Sequence, residues 1–110
     1  MKMIFLSSNK SPRNPEEWLV VRKPIDCIRA LIRTDIVDIL SVDESCLEYF
    51  DKDRMSVIDY IEYSAKRGIV PNTVFVHSSN IFAAERIARI IGEINRTYYT
   101  TIRVVRVKQD

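Results

Sequence analysis

The sequence predicts an α/β fold, a three-layer sandwich built around a mainly parallel five-stranded sheet. Three observations carry that prediction. Short β-rich apolar runs alternate along the chain with stretches whose apolar residues recur at helical spacing. The runs are close to continuously apolar, as in sheets covered on both faces, where neither side of a strand meets water. The chain has 110 residues, 46% of them hydrophobic and 29% charged. That composition excludes disorder, and the length suits one domain spanning 1–110.

Each element has its own warrant. Met3-Ile4-Phe5-Leu6-Ser7 reads as a short buried strand, and Pro12 and Pro15 break the polar stretch 8–17 into a loop. A second strand follows at Trp18-Leu19-Val20-Val21-Arg22. Pro24 stands where a first helical turn tolerates proline. Behind it Ile25, Ile28, Leu31 and Ile32 define a helix over 24–34. The β-branched run from Ile36 to Val42 is a third strand, and the polar, acidic stretch 43–53 is a loop. Met55, Ile58, Ile61, Glu62 and Ala65 mark a second helix closed by Gly68. Thr73-Val74-Phe75-Val76-His77 is a fourth strand. Asn80 is a good N-cap for a third helix, with Ile81, Ala84, Ile87, Ala88, Ile91 and Ile94 on one face. Thr100 to Lys108 is a fifth strand, and its interleaved Arg103 and Arg106 suit an edge.

One junction stays open. A parallel crossover needs about a dozen residues, and 8–17 is shorter and holds two prolines. Either the crossover is an abbreviated helical turn, or the second strand runs antiparallel.

Several function classes fall away. With 17 basic and 15 acidic residues the net charge is only +2, less than the excess usual in nucleic-acid binders. Arg103, Arg106 and Lys108, with Arg96, Tyr98 and Tyr99 nearby, suit contact with nucleic-acid phosphates, but charge protection of an exposed edge explains the same pattern. No apolar run is long enough for a membrane span, and the amino terminus does not read as a signal peptide. Cys27 and Cys46 form no CxxC or Cys/His cluster, so neither zinc nor a disulfide framework is expected. Two free thiols fit a reducing compartment, with the cytoplasm as the default location. Walker, GxGxxG, HExxH and GxSxG motifs are lacking. Tyr60 and Tyr63 on the second helix read as semi-buried or interface residues.

A site is expected where open α/β sheets place one, outside the carboxyl ends of the strands. There the first strand ends in Ser7-Ser8-Asn9-Lys10, the third in Asp43-Glu44-Ser45, and the fourth in His77-Ser78-Ser79-Asn80. The helix start at Asn80 offers backbone N–H groups and a positive dipole end.

The order and spacing of these segments resemble the cyclic-phosphate processing receiver-domain family. That family reads roughly "LFLDDERxP", then "W-V-V-R", a helix, "SLDHDLG" and "VHSAN". This chain supplies Ile4-Phe5-Leu6-Ser7-Ser8-Asn9-Lys10-Ser11-Pro12, then Trp18 to Arg22, then Ser41-Val42-Asp43-Glu44-Ser45-Cys46-Leu47, then Val76-His77-Ser78-Ser79-Asn80. The resemblance runs from Ile4 to about Ala84 and implies a receiver/flavodoxin-like fold. In related receivers an acidic pair after the first strand and an aspartate after the third hold Mg²⁺. That aspartate accepts a phosphoryl group, which a Ser or Thr after the fourth strand contacts. Carried over, Asp43 matches the first aspartate of "LDHD", and His77, Ser78 and Asn80 match "HSxN". The acidic pair, however, is Ser7 and Ser8, and the residues after it are Asn9 and Lys10. Glu44, Ser45 and Leu47 stand for the His, the second Asp and the Gly.

Mg²⁺ prefers octahedral oxygen ligands with neutralising carboxylates. Two hydroxyls in place of two carboxylates therefore disfavour Mg²⁺, and no other metal or cofactor is expected. The expected function is a divergent, non-catalytic receiver-type domain that binds a phosphate-bearing, nucleotide-like ligand or a protein partner. Ser7, Ser8, Lys10, Ser78 and Asn80 are the expected ligand contacts. Two alternatives stand beside it. One is a phosphodiester or cyclic-phosphate hydrolase with Asp43 and His77 as acid and base. The other is a pseudo-receiver interaction module, in keeping with a viral or accessory protein. Each residue also has a plainer reading: Asp43 as a loop cap, His77 as a neutral core histidine, Asn80 as a helix cap, and Ser7 and Ser8 as loop hydroxyls.

Overall fold

In a computed structural model, which describes residues 2–34, 36–48 and 55–108, five strands form one sheet. They are β1 (Met3–Leu6), β2 (Leu19–Val21), β3 (Ile39–Asp43), β4 (Thr73–Ser78) and β5 (Arg103–Lys108). Their spatial order is β2-β1-β3-β4-β5, and every neighbouring pair is parallel. This is the 2-1-3-4-5 order of flavodoxin-like folds. The open junction resolves toward the abbreviated crossover. A single 3-10 turn at Pro15–Glu17 returns the chain, and β2 pairs with β1 in parallel, Phe5 opposite Val20.

Four helices accompany the sheet: α1 (Pro24–Arg33), α2 (Glu44–Leu47), α3 (Val57–Ala65) and α4 (Ile81–Tyr98). The short α2 corrects the expectation of loop from 43 onward. One helical turn is too brief to show a period, so polar residues hid it. The remainder of that expected loop, 49–53, lies outside the described residues. The third strand begins at Ile39 rather than Ile36, and β5 begins at Arg103 rather than Thr100. β-branched residues at 36, 37, 100, 101 and 102 read as strand in sequence, yet they belong to the connections that enter the sheet.

The strand residues pointing to the helical side, Ile4, Leu6, Leu40, Val42, Val74 and Val76, are buried together with Cys27, Leu31, Leu47, Ile61, Ile87 and Ile91 in one cluster. Full burial of such side chains contributes about 1.5–3 kcal/mol each. The helices thus share one core with the sheet. The twelve-residue β1–β2 connection holds a single 3-10 turn instead of an α-helix, so the layer on the other side is reduced to that connection. Its Trp18 ring packs edge-on against Phe5 at 5.8 Å between centroids. Four apolar residues on the predicted helix faces are solvent-facing: Ile32, Met55, Ile81 and Ala88. Each lies at the margin of its stripe.

Caps fix the helix starts. Ser56 Oγ accepts the Asp59 N–H at 3.1 Å while Asp59 Oδ2 accepts the Ser56 N–H at 3.2 Å, a reciprocal capping box on α3. Asn80 Oδ1 accepts the N–H groups of Phe82 and Ala83 at the start of α4. Both cysteines are free and buried. Burial, and secondarily the neighbouring Cys46, pushes the Cys27 thiol up to about 12. No helix among the described residues is long and apolar enough to cross a membrane.

Candidate functional site

After β1 the chain turns outward to β2, and after β3 it runs the other way to β4. The carboxyl ends of β1 and β3 therefore mark the switch point of the sheet, where diverging loops leave a crevice. A cavity of about 260 Å³ lies there. The β1 loop contributes Ser8, Asn9 and Lys10, β3 and α2 contribute Asp43, Glu44 and Ser45, and β4 and its loop contribute His77, Ser78 and Ser79. Five of the seven residues singled out from sequence, Ser8, Lys10, Asp43, His77 and Ser78, are brought together around it.

The other two stand elsewhere. Ser7 is fully buried beneath the cavity. Its hydroxyl donates to Asp43 Oδ2 at 2.6 Å and accepts the Lys10 N–H at 3.0 Å. Asn80 is exposed and outside the lining, and its side-chain oxygen is engaged in capping α4. Asp43 occupies the residue before α2 but makes no side-chain cap bond there. Its carboxylate turns back toward β1, which parallel register makes possible because Leu6 and Val42 are partners one step earlier.

His77 pairs in register with Asp43. Its Nε2 is hydrogen-bonded to Ser41 Oγ, and its ring meets Phe5 edge-on at 5.5 Å. Burial lowers its pKa and Lys10 lowers it further, against the opposing pull of Asp43, so the ring is neutral at pH 7. Ser78 is buried, and its hydroxyl accepts the Asn80 N–H at 3.0 Å and donates to the Asn80 carbonyl at 2.9 Å. Beneath the cavity floor, burial foremost and Asp43 next raise the pKa of Cys46.

Sequence reasoning quoted Arg22 without giving it a role. Its guanidinium donates to the carbonyls of Ser7, at 3.1 Å, and Lys10, and to Ser11 Oγ at 2.8 Å. It thereby straps the β1 loop over the cavity rim. The signal was its place at the end of the Trp-to-Arg strand, one step past the β2 residue that pairs with Leu6. Arg106, read as edge protection, donates to the Ser78 carbonyl at 3.3 Å, and Lys108 pairs in register with Ser78. Both bring positive charge to the same end of the sheet.

The donor set does not suit Mg²⁺. Ser7 stands against Asp43 where a second carboxylate would be needed, and its hydroxyl is already committed to that aspartate. Among the described residues no three His, Cys, Asp or Glu side chains converge.

An all-parallel 2-1-3-4-5 sheet with its polar cavity at the β1/β3 switch point defines a flavodoxin-like domain, the class that includes receivers. A family model described as the cyclic-phosphate processing receiver domain matches residues 3–93. The chain belongs to that family. A search of the curated proteins and of the solved structures gave no match.

Proposed function

We propose that the protein is a non-catalytic receiver-type domain that binds a phosphate-bearing, nucleotide-like ligand at the β1/β3 edge without a metal. The observation that carries this reading is the 2.6 Å bond from Ser7 to Asp43. It puts a neutral donor where the family pattern has an acid, and it ties Asp43 into the fold. The lining suits a sugar phosphate better than bare phosphate. Lys10 and the hydroxyls of Ser8, Ser45 and Ser79 offer donors to phosphate oxygens. Asp43 and Glu44, which repel an anion, accept hydrogen bonds from sugar hydroxyls, as acidic residues do in dinucleotide folds.

Calorimetry in EDTA tests this with 2′,3′-cyclic AMP and ADP-ribose, using inorganic phosphate as the control. Saturable heat with the nucleotides, weaker with phosphate and unchanged by added Mg²⁺, is the expected result. Absence of heat at millimolar nucleotide overturns the reading.

The hydrolase reading keeps one supporting observation. His77, held neutral, and Asp43 are register partners lining the same cavity. Chromatography of the calorimetry samples separates the two, because a hydrolase converts the cyclic nucleotide to product and a binding domain returns it intact.

A further inference from the structure

The opposite end of the sheet carries a second feature that the reading above does not use. The connections entering β3, β4 and β5 lie side by side there and form a groove of about 410 Å³. Ile36, Ile69 and Tyr99 line it and are 65%, 42% and 92% exposed. Tyr99 ends α4 with φ 58°, in the left-handed region. A bulky residue there is an outlier, and glycine is the usual occupant. Asn95 holds the turn in place. Its side-chain oxygen accepts Thr100 Oγ at 2.8 Å and the Ile102 N–H at 2.9 Å, and its carbonyl accepts the Tyr99 and Thr100 N–H groups. The strain at Tyr99 is therefore imposed by the fold, and a side chain so exposed gains little packing within the chain to offset it. Strain of this kind directs attention to an external contact.

Among the described residues, four basic ones stand in the segments that border the groove. Lys66 and Arg67 precede Gly68 on its wall, Arg33 ends the helix before Ile36, and the Arg103 N–H bonds to the Asn72 carbonyl on the groove floor. None of the four joins an ion pair among the described residues. Arg67 lies over the Tyr63 ring at 5.5 Å. Asp38, beside the groove, is engaged by the Lys2 N–H at 2.8 Å and by Asn72.

We propose that this groove docks an acidic protein segment carrying apolar anchor side chains. The two isoleucines and Tyr99 desolvate the anchors, and the four cations select the sign of the flanking charge. Nucleic acid would engage the cations and stack on Tyr99, but it has no use for the isoleucines, so the surface favours a peptide.

A random-peptide library displayed on phage is selected against the whole protein. Enriched peptides are then synthesised and titrated by fluorescence anisotropy beside a short single-stranded RNA. The expected peptides place Asp and Glu around Leu, Phe or Trp. Tyr99→Gly, which relieves the left-handed strain, is expected to fold with an equal or higher melting midpoint and to bind these peptides about thirtyfold more weakly, a hot-spot-sized loss. Arg67→Glu combined with Arg103→Glu is expected to abolish the acidic preference. Selection of peptides without acidic bias, undiminished affinity in Tyr99→Gly, or tighter binding of RNA than of any peptide overturns the proposal.

Discussion

Ser7 and His77 show how far a side chain's partner decides its role. Sequence position placed Ser7 at the rim as a ligand donor. Its hydroxyl instead spans to Asp43, 36 residues on, and receives the Lys10 N–H. Local sequence carries no sign of such a pairing, because it depends on the register of β1 against β3. The Ser41 hydroxyl on His77 was equally hidden, since Ser41 reads as an ordinary strand residue. Asp43 and His77 themselves were legible, because polar residues at the ends of apolar strands stand out. His77 also makes the fold pH-dependent. Its unfolded value is 6.5 and burial lowers the folded one, so the unfolded chain binds the proton more tightly. Stability is full above about pH 6.5 and falls as pH drops through the lowered folded value. Urea midpoints measured between pH 7 and about pH 5 should fall in the wild type and fall less in His77→Gln. Identical slopes in the two proteins would exclude His77 as the source.

At the level of elements, the helices with a long apolar stripe were readable and the brief ones were not. α1, α3 and α4 each repeat apolar residues over two or more turns, which one-turn α2 cannot do. Asn80 was legible as a cap because Asn is one of the few side chains whose short carbonyl reaches the N2 and N3 amides. The direction of β2 was not legible, because residue count alone does not distinguish a tight 3-10 crossover from a reversal. The two caps invite comparison. Ser56→Ala should lower stability by about 1 kcal/mol by removing half of the capping box, and Asn80→Ala should cost a similar amount. Asn80 does not line the cavity, so Asn80→Ala should leave nucleotide affinity at the wild-type value. Denaturation paired with calorimetry checks both. A loss of affinity without a loss of stability would make Asn80 a ligand contact rather than a cap.

For the whole molecule, the parallel sheet brings segments from three distant parts of the chain to one edge. It assigns the opposite edge to the loops that enter β3, β4 and β5. The alternation of strands and helices foretold the parallel sheet, and the switch-point rule foretold which edge carries the polar cavity. The thin layer over Phe5 was not foreseen. Its cause is the twelve-residue β1–β2 connection, which two prolines and a single 3-10 turn occupy in place of an α-helix.

The central claim is that Ser7, Ser8 and Asp43 occupy the positions of the family's acidic site with the metal-binding charge removed. Calorimetric titration of Mg²⁺ into the wild type and into Ser7→Asp/Ser8→Asp examines it directly. In the absence of metal, the new carboxylate beside Asp43 should destabilise the variant, because like charges in contact oppose ionisation and folding. Mg²⁺ should then bind the variant saturably and restore its melting midpoint, while the wild type gives no heat. Saturable Mg²⁺ binding by the wild type, or a variant indifferent to Mg²⁺, would contradict the account.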